Sequence, residues 1–172
     1  VEISIAGSQL QYQVGDALGV FPRQDSTLVD EVIRSLNLDR DELITSLDPP
    51  MTLRSVLLYK KDITRIDPRF LQFCQQRGVP LPFGLHDSDR WREYCAEYHL
   101  IDLLQQINLR PSAAEFLKVL RPLAPRLYSI ASSPVINPDS VHLTVNVLRY
   151  TLHGRPREGV ASGHLSRAEV GS

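Results

Sequence analysis

The residues best equipped for chemistry lie late in the chain, in the run Arg126-Leu127-Tyr128-Ser129-Ile130-Ala131-Ser132-Ser133. Arginine offers a rigid fork of donors that matches phosphate, tyrosine a flat ring with a polar tip, and serine a small hydroxyl that can approach a ring nitrogen. In an extended chain residues 126 and 128 share a face, so Arg126 and Tyr128 can touch different parts of one elongated ligand. The set suits a nucleotide carrying an aromatic ring. An arginine and a tyrosine on a half-exposed strand is the plainer alternative.

A second segment, Gly159-Val160-Ala161-Ser162-Gly163, stands ahead of residues 164–169, which are expected to begin a helix. Small side chains let backbone N–H groups approach an anion, and a helix N-terminus adds favourable dipole charge, so this turn can hold a phosphate. It is neither a Walker loop nor a GxGxxG fingerprint, and a plain turn capping a helix reads from the same residues. Other chemistries lack apparatus. His86, His99, His142, His153 and His164 show no metal-ligand spacing with one another or with the cysteines, so no metal is expected. Ser162 is not framed as G-x-S-x-G. The carboxylates are scattered over helix faces and caps, and Trp91, Tyr94 and Tyr98 read as core rather than as a stacking platform.

The elements that must carry these residues belong to an ordinary globular chain: 172 residues, 42% hydrophobic and 23% charged. Nineteen Lys+Arg against 20 Asp+Glu leave a formal net charge of -1, so no global field attracts nucleic acid or anionic lipid. No apolar run approaches the roughly 20 residues that cross a bilayer, and no leader-like segment opens the chain, which predicts a soluble protein without a membrane segment. Cys74 and Cys95 lack the spacing of a zinc or redox motif; unpaired packed thiols suit a reducing, cytoplasmic compartment. The chain opens inside an alternating segment and stops at Gly171-Ser172, so it reads as a piece of a longer polypeptide.

Strand patterning opens the chain: Val1, Ile3 and Ile5 alternate with Glu2 and Ser4, and a turn at Gly15-Asp16 feeds a short strand through Val20. From Asp25 to Leu120 the period becomes helical. Leu28, Val29, Val32, Ile33 and Leu36 form one stripe behind an Asp25 or Ser26 cap. Asp39 and Glu42 predict a second short helix, Thr52 caps a third through Leu58, and Asp67-Pro68 opens one that Gly78 ends. Trp91, Tyr94, Cys95 and Tyr98 mark another helical face, and Ser112 with Glu115 forms a capping box for the last. After Pro122 and Pro125 strands return at 126–131 and 141–147, with a turn at Gly154. Strand, long helical block, then strands is an α+β order, not a doubly wound parallel sheet. The first and last β pieces must meet, so the helical block leaves and re-enters near one point.

At Arg126 to Ser129 the sequence reaches a known pattern. RPLAPRLYSIASSP, then VHLTVNVLRY, then GVASGHLSR, with YQVGDALGVFPRQD upstream, resemble the FAD-binding domain of the diflavin reductases, most closely its NADPH-sulfite reductase branch. The resemblance spans nearly the whole chain. RxYS alone occurs throughout the wider ferredoxin-NADP reductase superfamily, and the long helical block narrows the match.

The resemblance implies an antiparallel flattened FAD-binding β-barrel, incomplete in this chain, at residues 1–24 and 121–172, with a helical connecting insertion at 25–120. It implies that Arg126 binds the FAD pyrophosphate, that Tyr128 packs on the isoalloxazine ring with Leu127 beside it in the binding strand, and that Ser129 lies near flavin N5 as the catalytic hydroxyl. Thr144, Val145 and Asn146 match a strand whose main chain borders FAD, Tyr150 the tyrosine after it, and Gly159, Val160, Ala161 and Ser162 the phosphate-holding turn. Thr64 resembles an insertion threonine near FAD. His164 stands where the family usually has an aromatic. The implied activity passes electrons from NADPH through FAD to FMN and on to a haem or iron-sulfur partner, most closely as in sulfite reductase. The flavodoxin-like FMN domain and the NADPH domain, together with the family's first and last barrel strands, are expected to lie outside this chain. A cytochrome P450 reductase-like or nitric oxide synthase-like reductase module, or a helical interaction module that binds no cofactor, are the alternatives.

Overall fold

A computed structural model describes residues 1–82, 88–169 and 171. The fold is α+β, and the chain divides into two units: Val1–Arg23 with Ala124–Ser172, and Gln24–Leu123.

The first unit is built of antiparallel ladders. β1 (Glu2–Ser4) pairs with β6 (Ser140–His142), and β2 (Ala17–Val20) with β5 (Arg126–Ser129). Both ladders join chain from before the helical block to chain from after it. Val20 lies opposite Arg126, so the chain leaves and returns at one end of the β2–β5 ladder. β7 (Arg149–Leu152) and β8 (Arg155–Glu158) form a hairpin whose turn residues His153 and Gly154 both have positive φ, the backbone a two-residue turn demands. α7 (Val160–Ser166) follows at once, with Gly159 as its N-cap. The buried apolar core here is small: Ile5, Val141 and Leu143, with Leu18, Tyr128, Ile130 and Val145 packed against it. Each ladder has two strands, and among the described residues they do not close into a barrel.

The second unit is mainly helical. α1 (Ser26–Leu36) starts where the Asp25 carboxylate accepts the N–H of Thr27 and Leu28, and ends at Asn37 in the left-handed conformation. α2 (Leu53–Tyr59) is capped by Thr52, α3 (Pro68–Gln76) by Asp67, and α6 (Ala113–Val119) by the Ser112–Glu115 box. Their apolar faces meet α5 (Leu100–Leu104) in one core in which Phe70 and Phe116 pack edge to face at 6.2 Å. α4 (Ser88–Glu97) lays Trp91, Tyr94 and Cys95 against that core, and Tyr94 stacks on Tyr98.

Four expectations change. Asp39 to Glu42 form no helix: Asp39 caps its own turn by accepting the N–H of Asp41, and β3 (Leu43–Ile44) then pairs with β4 (Met51–Thr52). The middle block is therefore not wholly helical. The strand expected over 141–147 stops after a bridge at Leu143, where Val1 exchanges both backbone hydrogen bonds with Leu143. Beyond it the alternating residues 144–148 have no ladder partner, and alternation by itself supplies none. Finally, the last helix begins at Val160 rather than at 164, so the small residues of the turn are its first turn. The hairpin strands β7 and β8 and the short α5 carry too weak a period to be read beforehand. His86 lies outside the described residues.

Candidate functional site

β5 is the element that positions the predicted cluster. Its register sets Ser129 against Ala17, Tyr128 against Leu18, Leu127 against Gly19 and Arg126 against Val20. Gly19 leaves space on one face: a Cβ there would lie 3.6 Å from Leu127 Cδ2. On the other face Tyr128 is half-buried, held beside Leu18 and Ile130 by the small core. Arg126 and Ser129 are exposed, and Leu127 is 75% exposed. Alternation puts Arg126 and Tyr128 on one face and Leu127 and Ser129 on the other.

The predicted residues fall into two kinds by their hydrogen bonds. Among the described residues the side chains of Arg126, Ser129, Thr144 and Asn146 have no intramolecular hydrogen-bond or ion-pair partner. Thr144 and Asn146 are exposed, Val145 between them packs on the small core, and the main chain of all three stands outside any ladder. Ser162 and Thr64 are committed. The buried Ser162 Oγ accepts the Leu148 N–H at 3.2 Å and donates to the Gly159 carbonyl at 3.3 Å. Thr64, in the helical unit, donates its hydroxyl to Asp62 at 2.6 Å, and its carbonyl accepts the Leu100 N–H at 3.0 Å. Tyr150 sits on β7, 38% exposed.

The Gly159 turn is packed tightly. Its N–H donates to the Leu148 carbonyl at 2.9 Å, and a Cβ on Gly159 would come within 2.7 Å of Ser162 Oγ and 3.2 Å of Leu148 Cβ. The first intrahelical bond runs from Gly163 to Gly159, so the N–H groups of Val160, Ala161 and Ser162 have no intrahelical acceptor. Glu158, just before the turn, receives Arg149 at 3.0 Å and Arg167; hydrogen bonds from those two arginines hold its carboxyl below the usual range. His164 in α7 is half-buried, and burial, followed by the charges of Arg167 and Arg23, pushes its pKa down.

Two polar clusters carried no readable signal in the sequence. Asp67, only 5% exposed, would be raised by burial, but hydrogen bonds from Arg69 and Arg121 outweigh this and hold it at about 2. Its cap role follows from Asp-Pro; the arrival of Arg121 from 54 residues away does not. Tyr12 reaches Ser132 across 120 residues. A cavity of about 200 Å³ lies against Tyr12, Asp16, Leu18 and Ile130, and no residue predicted to bind a ligand lines it. Cys74 and Cys95 are free thiols, and burial pushes Cys74 up to about 11. Among the described residues there is no cluster of His, Cys, Asp and Glu that could hold a metal, and no helix is long and apolar enough to cross a membrane.

Known proteins match this arrangement along nearly its whole length. Residues 1–76 and 82–164 match the family described as FAD binding domain. The chain is 37% identical over 167 residues, 96% of its length, to the sulfite reductase [NADPH] flavoprotein alpha-component of Mannheimia succiniciproducens. It is 37% identical over 97% of its length to the protein of that name from Vibrio vulnificus, and 36% identical over 94% to that of Bacillus subtilis. It spans 28%, 27% and 28% of those three proteins. On this evidence the chain belongs to the FAD binding domain family.

Proposed function

We propose that this chain is the FAD-binding portion of an NADPH-dependent diflavin oxidoreductase of the sulfite reductase type. Residues 1–24 and 121–172 are its part of a flattened barrel, and residues 25–120 its connecting insertion. The observation that carries the reading is the coincidence of the family match with a set of polar side chains, Arg126, Ser129, Thr144 and Asn146, left uncommitted among the described residues. Exposed donors cost nothing to present, and a dinucleotide with a pyrophosphate and a polar ring edge needs several at once.

Arg126 fits the pyrophosphate: its guanidinium is exposed, and unpaired among the described residues, on a strand whose backbone is fixed by β2. The N–H groups of Val160, Ala161 and Ser162 would supply further donors to the phosphates, whereas the Ser162 hydroxyl is spent on holding the turn. Tyr128 is anchored on the small core and offers the rest of its ring to the flavin. Thr144, Val145 and Asn146 present a main chain free of ladder bonds along the ligand, with Tyr150 beyond them. Ser129 would place Oγ at the N5 edge. Thr64 would contribute only acceptor lone pairs, since its proton goes to Asp62.

FAD held by these residues would supply the redox chemistry, two-electron acceptance of hydride and one-electron transfer onward to FMN. The chain's own residues bind, orient and stabilise charge, so no shifted acid or base is required of them. FMN-binding and NADPH domains of the same polypeptide and a haem or iron-sulfur acceptor protein are the proposed partners. A reducing, cytoplasmic location accords with two free thiols. The test is the flavin content of the intact protein and of its Arg126→Ala variant. Stoichiometric FAD that Arg126→Ala loses supports the reading, and a colourless protein that gains no flavin spectrum on adding FAD removes it.

A further inference from the structure

Tyr12 has no role in the ligand set above, yet one side-chain hydroxyl and two backbone carbonyls of the distant 132–140 connection converge on its hydroxyl. Tyr12 Oη lies 2.8 Å from Ser132 Oγ and 3.2 Å from the carbonyls of both Asn137 and Ser140. Ser132 Oγ in turn accepts the His142 N–H at 3.1 Å. One assignment of protons serves every group. His142 donates to Ser132, the Ser132 hydroxyl donates to Tyr12, and the single phenolic proton is shared between the two carbonyls. Reversing the Tyr12–Ser132 bond would leave both carbonyls without that donor.

This chain of bonds meets β5 just past Ser129. There the strand is held on two more sides: Ile130 donates to the Asp16 carbonyl at 3.0 Å and Ala131 to the His142 carbonyl at 2.8 Å. The ring of Tyr12 packs on the small core, so the hydroxyl is itself held in place. The far end of the 132–140 connection is tied to β1 by the Ile5 N–H on the Asp139 carbonyl at 2.9 Å and by the Ser4–Ser140 pairing, whereas Tyr12 reaches its near end at Ser132, beside β5. With so few buried apolar residues in this unit, directed hydrogen bonds have to set where the strand ends.

We propose that Tyr12 is a positioning residue that, through Ser132, fixes the end of β5 and so aims the Ser129 hydroxyl; this rests on the flavin reading of Ser129 given above. The role assigned to Tyr12 is on the strand and not on the ligand. Arg126, four residues before Ile130 and held by its own pairing with Val20, does not depend on it.

The test uses the intact reductase, in its FAD-loaded and FAD-free forms, with Tyr12→Phe, Ser129→Ala and the double variant. Tyr12→Phe removes one oxygen and keeps the packed ring. In the FAD-free protein its backbone amides over residues 130–142 should exchange hydrogen about fivefold faster or more, with the helical unit unchanged. FAD content should stay within about twofold of wild type, while reduction by NADPH per bound FAD slows about fivefold. The double variant should be no slower than Ser129→Ala, because both changes act on one hydroxyl. Ser132→Ala cuts the same chain at its middle and must reproduce the Tyr12→Phe result. Unchanged exchange, an unchanged rate per bound FAD, or losses that multiply in the double variant each overturn the proposal. A Ser129→Ala enzyme that reduces at the wild-type rate instead removes the Ser129 role itself, and this inference falls with it.

Discussion

The helical unit and the β unit solve opposite problems. In the helical unit Phe70, Leu71, Leu57, Ile101 and Phe116 are fully enclosed, and of its large apolar side chains among the described residues only Leu43 and Tyr59 stand exposed. The β unit buries Ile5, Val141 and Leu143, yet exposes Phe21, Leu127, Val135 and Ile136, each by more than two thirds. Side-chain polarity follows the same division. Asp67, Thr64 and Glu115 in the helical unit are tied into caps and ion pairs, whereas the side chains of Arg126, Ser129, Thr144 and Asn146 in the β unit have no partner among the described residues. The β unit ties up Ser162, Glu158 and Tyr12 internally but, unlike the helical unit's caps, leaves the donors of the predicted site uncommitted. A unit of that kind gains stability from whatever binds it.

The largest expected effect tests where the stability resides. Phe116→Ala empties the centre of the helical core and should cost about 3 to 5 kcal/mol, read as a fall in thermal midpoint. Val141→Ala in the β unit loses two methyl groups from a much smaller cluster and should cost about 1.5 kcal/mol. Equal losses would mean that the two cores bear equal weight.

Next comes Arg126→Ala. It should weaken FAD binding by about 1.5 to 3 kcal/mol, the scale for a hydrogen bond to a charged group, and leave the midpoint of the FAD-free protein unmoved. An unchanged dissociation constant for FAD would put the pyrophosphate elsewhere.

Asp67 tests the helical unit's use of charge. Its pKa in the folded chain is about 2 against an ordinary 3.8, so the carboxylate contributes stability that is fully present above pH 3.8 and is lost as pH falls through about 2. That difference corresponds to about 2 kcal/mol at neutral pH. Asp67→Asn keeps a competent cap but no charge, and should remove about that amount at pH 7 while converging on wild type near pH 2. A constant gap across the titration would show that the loss came from packing.

How far the sequence reveals this division depends on the range of the forces involved. Asp25, Thr52, Asp67-Pro68 and Ser112 with Glu115 announce helices because a cap is settled within a few residues. The β2 and β5 strands are legible because glycine and proline bound them. Residues 144–147 alternate just as cleanly and form no strand, since pairing depends on a partner that local pattern does not encode. The same limit hides the Tyr12–Ser132 and Asp67–Arg121 contacts. The RLYS cluster was visible by residue type, and the family resemblance supplied its roles; neither could say which hydroxyls were already spent.

The smallest effect isolates that last point, because two hydroxyls assigned to the same ligand have opposite accounts. Thr64 donates to Asp62 at 2.6 Å within a half-buried turn whose N–H also donates to that carboxylate at 2.9 Å. Thr64→Val keeps the shape, removes the donor and leaves Asp62 one bond short, so the chain should lose about 1 kcal/mol of stability whether or not FAD is present. Ser129 Oγ is exposed and has no partner among the described residues. Ser129→Ala should therefore shift the FAD-free protein by less than about 0.5 kcal/mol, the usual range for surface substitutions. Both variants are measured by urea unfolding of the FAD-free protein, with the slope checked so that only the midpoint carries the comparison. If Ser129→Ala destabilises as much as Thr64→Val, its hydroxyl has a structural partner, and the contrast between spent and reserved donors fails at the residue on which the proposed chemistry depends.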